Sequence, residues 1–542
     1  MKKIIIIGSG LAGMSAAVTA VENGAKVILV SPFQSERSQS IMAAGGMNAS
    51  LDTAENGDSP EAHAADTIRA GMNLANIDVV TGLCRAASGI TRQLEKLGVV
   101  FTRTADGELA QRELAGQSSP RTVFAGACTG KQFLTALTRH CRILESLGNI
   151  ERRIGTYFIK LLKCEDKCAG AILFNEVMQK IYYETADAVI LATGGQNMLF
   201  GKTTGSELCD GCAAAAVFMQ GVRLKNLEMI QFHPTTISTP QKHMLITEAS
   251  RGEGGRLFYI GDDGKRVYFM EDKFGEKGNL KPRDVVSREI FKTGRQVYLD
   301  ITFLGKERIL SRLREVYDVC ADYIGLDVTK EPIPVTPCVH YFMGGISVSE
   351  HHETSVKNLF AAGECAAIYH GANRLGGNSL LSTIYGGKIA AQYAVYCNMP
   401  DVTDAQKQVE DCEKDFFIKS SKRSRFPCIY ILNSVAETMN EGMQIIRSAD
   451  KLKEAIVDME FYSDKETYMI FDKSVDIYHA YALKNVIIMA RAILKSALER
   501  KESRGAHTRA DYPMTDSEAK ASYATYDENK ITITFEKDRG QA

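Results

Sequence analysis

Histidine, arginine and glutamate recur in five short stretches of this 542-residue chain, each of which contains proline or glycine. In chain order the stretches are QFHPT with His233, LITEASRGEGG with Thr247, Glu248 and Arg251, PRDVVSRE with Arg283, HYFMGG with His340, and HGANRLGGNSLLSTIYGG with Arg374 and Ser379. Guanidinium groups match carboxylates with two parallel hydrogen bonds. Because the whole chain has a net charge of −1, any anionic ligand must be held by such local groups.

The two histidines allow two interpretations. Both lie in loop-like sequence with proline or glycine nearby, which is less typical of a core histidine than a position on an apolar helix face. From the residues alone, a purely structural role stays open for each of them.

A glycine-rich turn near the N-terminus must position part of the site. Residues 3–7 (KIIII) predict a buried parallel strand, Leu11–Asn23 an alanine-rich helix and Lys26–Val30 a second strand. Between the first two lies Gly8–Gly13 (GSGLAG), whose glycines let backbone amides and the helix N-terminus approach a pyrophosphate. The unit predicts a dinucleotide site, although Ser31 stands where an Asp or Glu usually binds the ribose hydroxyls.

Two further strand-like runs end in small residues. One is ADAVILATGG, residues 186–195, and the other is VKNLFAAGEC, residues 356–365, which adds Glu364. Three such strand ends on one side of a sheet suit an extended FAD better than a single nucleotide.

Composition indicates an ordinary intracellular protein. Hydrophobic residues make up 45% and charged residues 24% of the chain, and the balance of 65 basic and 66 acidic residues suggests neither a nucleic-acid binder nor a strongly basic membrane-surface protein. The 13 cysteines lack the close spacing of an iron–sulfur site, and their odd number argues against a secreted disulfide framework. We expect no metal site, including at Cys209 and Cys212, and a cytoplasmic location.

The N-terminus superficially resembles a signal peptide, because Lys2 and Lys3 precede an apolar run. Glycines of the predicted turn break that run. No later segment has the roughly 18 uninterrupted apolar residues of a membrane helix.

The predicted secondary-structure pattern of the sequence changes twice. From about Pro240 to Pro337, strands and helices alternate with charged loops, as in an insertion between two parts of a nucleotide domain. From about Asp401 to Arg500, long amphipathic helical patterns dominate. Among them, the stripe of Val486, Met489, Ile493 and Leu494 predicts helix core.

The five stretches, in this order, resemble the flavoprotein subunit of succinate dehydrogenase and fumarate reductase. The resemblance runs nearly end to end, through GLDVTKEPIPV and KESRGAHTRADYP to the alternating KITITFEKD. It implies an α/β fold: a Rossmann-like FAD-binding domain with an inserted α+β capping domain and a C-terminal helical domain. The expected parts are the FAD-binding domain in two pieces (1–239 and 339–398), the capping domain (240–338), the helical domain (399–500) and a C-terminal segment (501–542).

The resemblance also implies a reaction, the interconversion of fumarate and succinate. His233, Thr247, His340 and Arg374 resemble the residues that hold the two carboxylates of the substrate, which a dry pocket accepts only if donors and cations compensate the charge. Flavin N5 would deliver hydride to one alkene carbon, and Arg283 resembles the residue that gives a proton to the other. Glu248 and Arg251, neighbours if their segment is helical, resemble the relay that reprotonates Arg283.

For FAD, the resemblance implicates residues from all three strand ends: Gly8, Ser9, Gly10, Ala12, Gly13, Ser31, Ser38, Gln39, Ser40, Ala44, Gly45, Gly46, Thr193, Gly194, Asp210, Glu364, Arg374, Ser379 and Leu380. Glu364 would bind the adenosine ribose in place of the carboxylate missing after the second strand. Many relatives carry a flavin-bonded histidine where this chain has Gln39. An amide cannot replace that nucleophile, so we expect FAD to be bound non-covalently. In the family that the chain resembles, the covalent bond assists succinate oxidation, so its absence favours the direction of fumarate reduction.

Two alternatives stay open. L-Aspartate oxidase shares the implied fold, most of these motifs and non-covalent FAD, and reduction of another unsaturated acid fits the same residues. A subunit that binds FAD without substrate chemistry is a different class, against which the intact set of Arg283, His233, His340 and Arg374 argues. The resemblance further implies a separate iron–sulfur subunit as electron partner and, through it, a possible membrane anchor on the cytoplasmic face.

Overall fold

The computed structural model describes residues 1–53, 55, 57–421, 426–466, 469–470 and 477–538. Part of the expected helical domain (422–425, 467–468 and 471–476) and the end of the expected C-terminal segment (539–542) lie outside the described residues.

Strands and helices are interspersed through the first part of the chain. The strands up to residue 239 are β1 Lys3–Ile7, β2 Lys26–Ser31, β3 Met47–Asn48, β4 Gln111–Arg112, β5 Thr122–Val123, β6 Ile150–Ile154, β7 Thr156–Cys164, β8 Lys167–Asn175, β9 Lys180–Thr185, β10 Ala188–Leu191, β11 Leu224–Lys225 and β12 Ile230–Ser238. The helices are α1 Leu11–Glu22, α2 Pro60–Ala70, α3 Ile77–Lys96, α4 Thr129–Ser146 and α5 Cys212–Phe218.

Shorter elements follow, and then longer helices. The later strands are β13 His243–Leu245, β14 Arg256–Ile260, β15 Arg266–Val267, β16 Val297–Asp300, β17 Ile333–Phe342, β18 Gly345–Ser347, β19 Leu359–Ala361, β20 Ala366–Ala367, β21 Phe426–Pro427, β22 Ile446–Arg447, β23 Met469–Ile470, β24 Thr508–Arg509, β25 Ala521–Asp527 and β26 Lys530–Glu536. The later helices are α6 Ala249–Gly252, α7 Phe269–Phe274, α8 Arg283–Thr293, α9 Lys306–Arg312, α10 Arg314–Ile324, α11 Asn378–Ala394, α12 Ala405–Ser421, α13 Cys428–Gly442, α14 Ala449–Glu466 and α15 Ile477–Glu499.

A parallel sheet carries the predicted nucleotide site. In the part of the chain that the structure describes, its strand order is β19-β10-β1-β2-β6, and every pairing is parallel. Ile4, Ile5 and Ile6 in β1 are fully buried, as expected for a central strand covered on both faces. The predicted strand–turn–helix unit and the α/β class are confirmed.

A second sheet lies in the inserted region. Its order is β13-β12-β17-β16-β14-β15 among the described strands, and a hydrophobic cluster running in sequence from Ile237 to Val335 packs it against helices α8, α9 and α10. The strands β12 and β17 enter and leave this region and pair with each other from Ile230 to Phe342. The sheet therefore continues across both predicted boundaries, 239/240 and 338/339, which stay predictions.

The C-terminal part combines helices with a closing hairpin. Val486, Met489, Ile493 and Leu494 in α15 are at most 2% exposed, so the prediction that this stripe is core is confirmed. The predicted final strand is β26, which pairs with β25 and joins β11, β18 and β20 in a mixed sheet. Within the described residues, no helix is long and apolar enough to cross a membrane.

Candidate active site

One cavity brings together most of the predicted site residues. It is lined by the turn after β1, the start of α1 and the last residue of β2: Gly8, Ser9, Gly10, Ala12 and Ser31. It is also lined by Ser38, Gln39, Ser40, Ala44, Gly45, Gly46, Thr193, Gly194 and Asp210. Its wall also contains Glu364, Ser379, Leu380 and the polar set His233, Thr247, Glu248, Arg283, His340 and Arg374.

Two predicted residues, Gly13 and Arg251, do not line this cavity. A Cβ on Gly13 would lie 1.8 Å from the carbonyl oxygen of Gly8, so Gly13 lets α1 pack closely against the turn. Gly8 itself has φ of +111°, which favours glycine. The contribution of Gly13 is close packing rather than a wall of the cavity.

Glu364 lies away from Ser31 in the parallel sheet. β2, which ends at Ser31, is separated from β19, which precedes Glu364, by β1 and β10. Three strand spacings amount to roughly 14 Å. Glu364 accepts a hydrogen bond of 3.0 Å from the backbone N–H of Phe342, the last residue of β17. Binding of the adenosine ribose by Glu364 stays a prediction, and the separation of the two strands favours another part of the cofactor.

The carboxyl group of Glu364 is easily protonated. Burial raises its pKa to about 7, against the opposing effects of the Phe342 N–H and of Arg374. A hydrogen bond from a cofactor hydroxyl would favour the charged form.

Arg283 and Arg374 lie near each other in the cavity wall, which also contains Arg37 and Lys242. Arg283 begins α8, and Arg374 lies in the loop before α11, with its guanidinium 4.4 Å from the ring centroid of Tyr341. Burial, followed by repulsion from Arg283, lowers the pKa of Arg374 to about 10, so the side chain remains a cation at neutral pH. Two cations on one wall suit a ligand with two negative charges.

Gln231 joins these two arginines and was missed at the sequence level. Its side-chain oxygen Oε1 accepts hydrogen bonds from Arg283 Nη1 at 3.1 Å and from Arg374 Nη2 at 3.0 Å. Gln231 precedes His233 by two positions in β12, and strand periodicity places such residues on the same face. That spacing is the signal that could have identified it.

Glu248 links Arg283 to Arg251. Its two carboxylate oxygens lie 3.0 Å from Arg283 Nη2 and 3.0 Å from Arg251 Nη2. The three-residue separation falls at the start of α6, as expected for the predicted helical neighbours. Burial opposes ionisation of Glu248, but the two arginines outweigh it and lower its pKa below the ordinary value. Arg251 is 1% exposed and also donates to the carbonyl oxygen of Asn279 at 2.5 Å.

His233 and His340 face each other from the paired strands β12 and β17. Their ring centroids are 5.2 Å apart with the planes steeply inclined. Burial, followed by the charge of Arg283, lowers both pKa values well below 6.5, so both rings are neutral at pH 7. His233 Nδ1 lies 3.3 Å from the Thr235 backbone N–H, and His340 Nδ1 lies 2.8 Å from Thr204 Oγ1. His233 Nδ1 also lies 3.1 Å from the Thr235 carbonyl oxygen, to which it donates in the Nδ1–H tautomer. In the other tautomer of each ring Nδ1 accepts, and Nε2–H can donate to a ligand.

Several buried polar atoms on this wall lack a partner within the described residues. They are Ser38 Oγ, Gln39 Oε1, His233 Nε2, Arg283 Nε and Arg374 Nε. Buried polar groups are normally hydrogen-bonded, so this cluster indicates ligands for the cavity. The glycine turn at the N-terminus of α1 also offers backbone N–H groups to a phosphate. The residues present therefore fit FAD together with an anionic substrate.

The loop between Ser38 and Gly46 is held by a residue outside the predicted set. Arg112 donates to the carbonyl oxygen of Ala44 at 3.1 Å and to that of Gly45 at 2.7 Å. Its guanidinium also lies 4.3 Å from the ring centroid of Phe124. Pairings of this kind are non-local, and the sequence gives no signal for them.

Two family models match the chain. One described as "FAD binding domain" matches residues 3–380, and one described as "Fumarate reductase flavoprotein C-term" matches residues 433–539. The succinate dehydrogenase flavoprotein subunit of Bacillus subtilis (strain 168) is 36% identical over 94% of this chain and 91% of the relative. The chain belongs to the succinate dehydrogenase and fumarate reductase flavoprotein family.

Other members of this flavoprotein family are also similar over nearly their full length. The fumarate reductase flavoprotein subunit of Haemophilus influenzae is 31% identical over 97% of this chain and 92% of the relative. A solved structure of E. coli quinol fumarate reductase superimposes with a TM-score of 0.90 at 28% identity, covering 99% of this chain and 97% of that one. The predicted family and fold are confirmed, and the chain is an FAD-dependent oxidoreductase.

Proposed function

We propose that this flavoprotein subunit interconverts fumarate and succinate and works as a fumarate reductase. One observation carries the proposal: two guanidinium groups and two neutral imidazoles lie on the wall of the same cavity as the glycine turn of the FAD site. A dicarboxylate needs compensation at both ends when it leaves water, and this set supplies cations and neutral donors together.

The chain's own residues bind and orient the substrate in this proposal. Arg374 forms the charged hydrogen bonds to one carboxylate, and His233, Thr247 and His340 donate to the carboxylates through Nε2–H and hydroxyl groups. Holding both ends of the molecule fixes the two central carbons relative to the cofactor. Bound FAD supplies the hydride when it is reduced.

Arg283 gives the proton in the reducing direction. Arginine is an unusual acid because its guanidinium stays protonated in proteins, so the transfer requires a strongly basic carbanion and rapid reprotonation. Glu248 is ionised and lies 3.0 Å from both Arg283 and Arg251. It accepts a proton on the side of Arg251 and passes it to Arg283. In the oxidising direction Arg283 takes the proton back.

The proposed cofactor contacts are the cavity residues named above, with FAD held non-covalently because Gln39 offers no nucleophile. Gly13 supports the turn by packing. Glu364 is assigned to a part of FAD other than the ribose beside Ser31. We further propose a separate iron–sulfur subunit as electron partner, with the chain in the cytoplasm or attached through partner subunits to the cytoplasmic face of a membrane. The similarity to E. coli quinol fumarate reductase supports an electron partner for this chain.

A rapid-mixing experiment tests the proposed substrate class. Purified protein with its flavin pre-reduced by a dye is mixed without oxygen with fumarate or with crotonate, which has a single carboxylate. We expect fumarate to reoxidise the flavin and to form succinate. Crotonate should react at least about 100-fold more slowly, because it lacks the second carboxylate and therefore the charged hydrogen bonds that this group accepts. Equal rates would contradict recognition of a dicarboxylate.

The alternative within the enzymes is L-aspartate oxidase or reduction of another unsaturated acid. The loop AQRELAGQSSPRTVFAGACTGKQF resembles the dehydrogenase and reductase version, which favours the first proposal. Product analysis with aspartate separates the two.

A further inference from the structure

Gln231 lies behind the two cavity arginines rather than in the cavity wall. It is fully buried, and its Oε1 is shared by Arg283 Nη1 and Arg374 Nη2. The arginines line the cavity, whereas Gln231 does not. Any effect that Gln231 has on a ligand therefore passes through the two guanidinium groups.

The arrangement solves an electrostatic problem. Two guanidinium groups held near each other in a buried wall repel one another, and Glu248 pairs with one of them, Arg283. One neutral carbonyl oxygen accepts from both, so it fixes their spacing without cancelling a charge. A carboxylate at this position would neutralise one cation and compete with an incoming dianion.

Gln231 is itself fixed by its amide nitrogen. Nε2 donates to Asn373 Oδ1 at 2.7 Å and to the carbonyl oxygen of Arg374 at 2.8 Å. Asn373 Nδ2 in turn donates to Asp284 Oδ1 at 2.8 Å, one residue after Arg283 at the start of α8. The contacts form a closed set that joins β12, α8 and the loop before α11. The amide cannot rotate without losing contacts on both of its ends.

We propose that Gln231 is a positioning residue that sets the spacing of Arg283 and Arg374 for a dianionic substrate without adding a negative charge beside them. The inference deepens the proposed function and rests on it. It assigns to the amide two separable properties: hydrogen bonding, which orients the arginines, and neutrality, which preserves their attraction for a dianion.

Two substitutions of nearly equal size separate these properties. Gln231→Met removes the acceptor and the donor, and Gln231→Glu keeps acceptor oxygens but adds a negative charge. For Gln231→Met we expect kcat for fumarate reduction to fall about 10- to 100-fold, the range for a lost hydrogen bond to a charged group. For Gln231→Glu we expect mainly weaker binding, with Kd for succinate, read from the flavin absorption spectrum, raised at least about 10-fold.

A matched control is Gln408→Met. Gln408 in α12 likewise uses both ends of its amide, accepting from Lys163 N at 3.2 Å and donating to Lys163 O at 2.7 Å, and it does not line the cavity. We expect its kcat and Kd to match the unaltered protein. Bound FAD and the midpoint of thermal unfolding are recorded for each variant, and Gln231→Glu still tests the charge effect if the methionine variant does not fold.

The outcomes distinguish the two proposals. An unaltered protein that neither reduces fumarate nor binds succinate contradicts the proposed function. An unaltered protein that does both, with Gln231→Met or Gln231→Glu within two-fold of it in kcat and Kd, contradicts the role of Gln231. Loss of succinate binding in the glutamate variant with FAD retained supports it, because a merely structural defect would not depend on the added charge.

Discussion

Arg283 Nη2 and Glu248 Oε2 form an ion pair of 3.0 Å in the wall of the candidate active-site cavity. Both side chains are at most 10% exposed, and both line the cavity. In such a place a carboxylate and a guanidinium exchange a proton without a large movement of either group. The pair is therefore the centre of the proposed proton transfer.

Removing the proton donor tests this pair. Arg283→Ala is expected to abolish fumarate reduction and succinate oxidation, because neither direction has another acid or base at the same position, while FAD stays bound. General acid–base catalysis contributes about 10²- to 10⁴-fold. The measurement is turnover with reduced and oxidised dyes, beside the flavin content of the purified protein.

Arg288→Ala is the matched control for that variant. Arg288 lies on the same helix α8, does not line the cavity, and contacts Thr508 Oγ1 at 3.4 Å. It should retain near-normal turnover. Appreciable activity of Arg283→Ala in either direction would show that Arg283 is not the proton donor or acceptor.

The glycine turn and its flanking elements could be predicted from the sequence. Four consecutive isoleucines, a spaced glycine motif and an alanine-rich helix are local signals, and each lies where the pattern places it. The five chemical stretches were recognisable for the same reason. Their loop-like appearance was misleading for two of them, because His233 and His340 lie in the strands β12 and β17.

Two features depended on tertiary structure. The separation of Glu364 from Ser31 could not be predicted, because the spacing of β2 and β19 is a property of strand order and not of either segment. Gln231 was overlooked, because its role arises from Arg283 and Arg374, which lie 52 and 143 residues away in sequence. Contacts at such separations leave no periodic signal.

The mode of FAD attachment gives a simple prediction. Gln39 lies in the short turn of helix Gln39–Met42 and lines the cavity, and its amide cannot form the bond that an imidazole forms with flavin. After acid precipitation we expect the flavin absorbance in the supernatant and a colourless pellet. Flavin retained on washed, denatured protein would show a covalent link and contradict the interpretation of Gln39.

Binding of FAD should depend on pH through Glu364. The pKa of this carboxyl is about 7 in the cofactor-free protein because burial disfavours its charged form. If a cofactor hydroxyl donates to the carboxylate, binding releases a proton below pH 7, so affinity rises with pH and then levels. We expect FAD to bind about tenfold more weakly at pH 6 than at pH 8, measured by quenching of flavin fluorescence with apoprotein.

Glu364→Gln should remove most of that pH dependence, because the amide does not titrate. The same slope in the unaltered and amide proteins would mean that another group controls FAD affinity.

Buried histidines should make the fold less stable in mild acid. His63 illustrates the effect: burial lowers its pKa to about 4 from 6.5, so between these values the unfolded chain binds a proton that the folded chain does not. Stability then rises with pH up to about 6.5 and falls as pH is lowered. At pH 5 this single group costs about 2 kcal/mol relative to pH 8.

Denaturant unfolding at pH 5 and pH 8 measures this effect. His63→Gln keeps a donor for Asn378 Oδ1, which His63 Nε2 contacts at 2.8 Å, but removes the titration. We expect a smaller difference between the two pH values in this variant. A difference as large as that of the unaltered protein would show that His63 does not contribute.

Turnover of three substrates by one preparation tests the central claim most directly. Purified holoprotein is given fumarate with a reduced dye, succinate with an oxidised dye, and L-aspartate with oxygen or fumarate as acceptor. The account predicts fumarate reduction as the fastest reaction, slower succinate oxidation and negligible aspartate oxidation. Aspartate turnover exceeding both of the other reactions would contradict it.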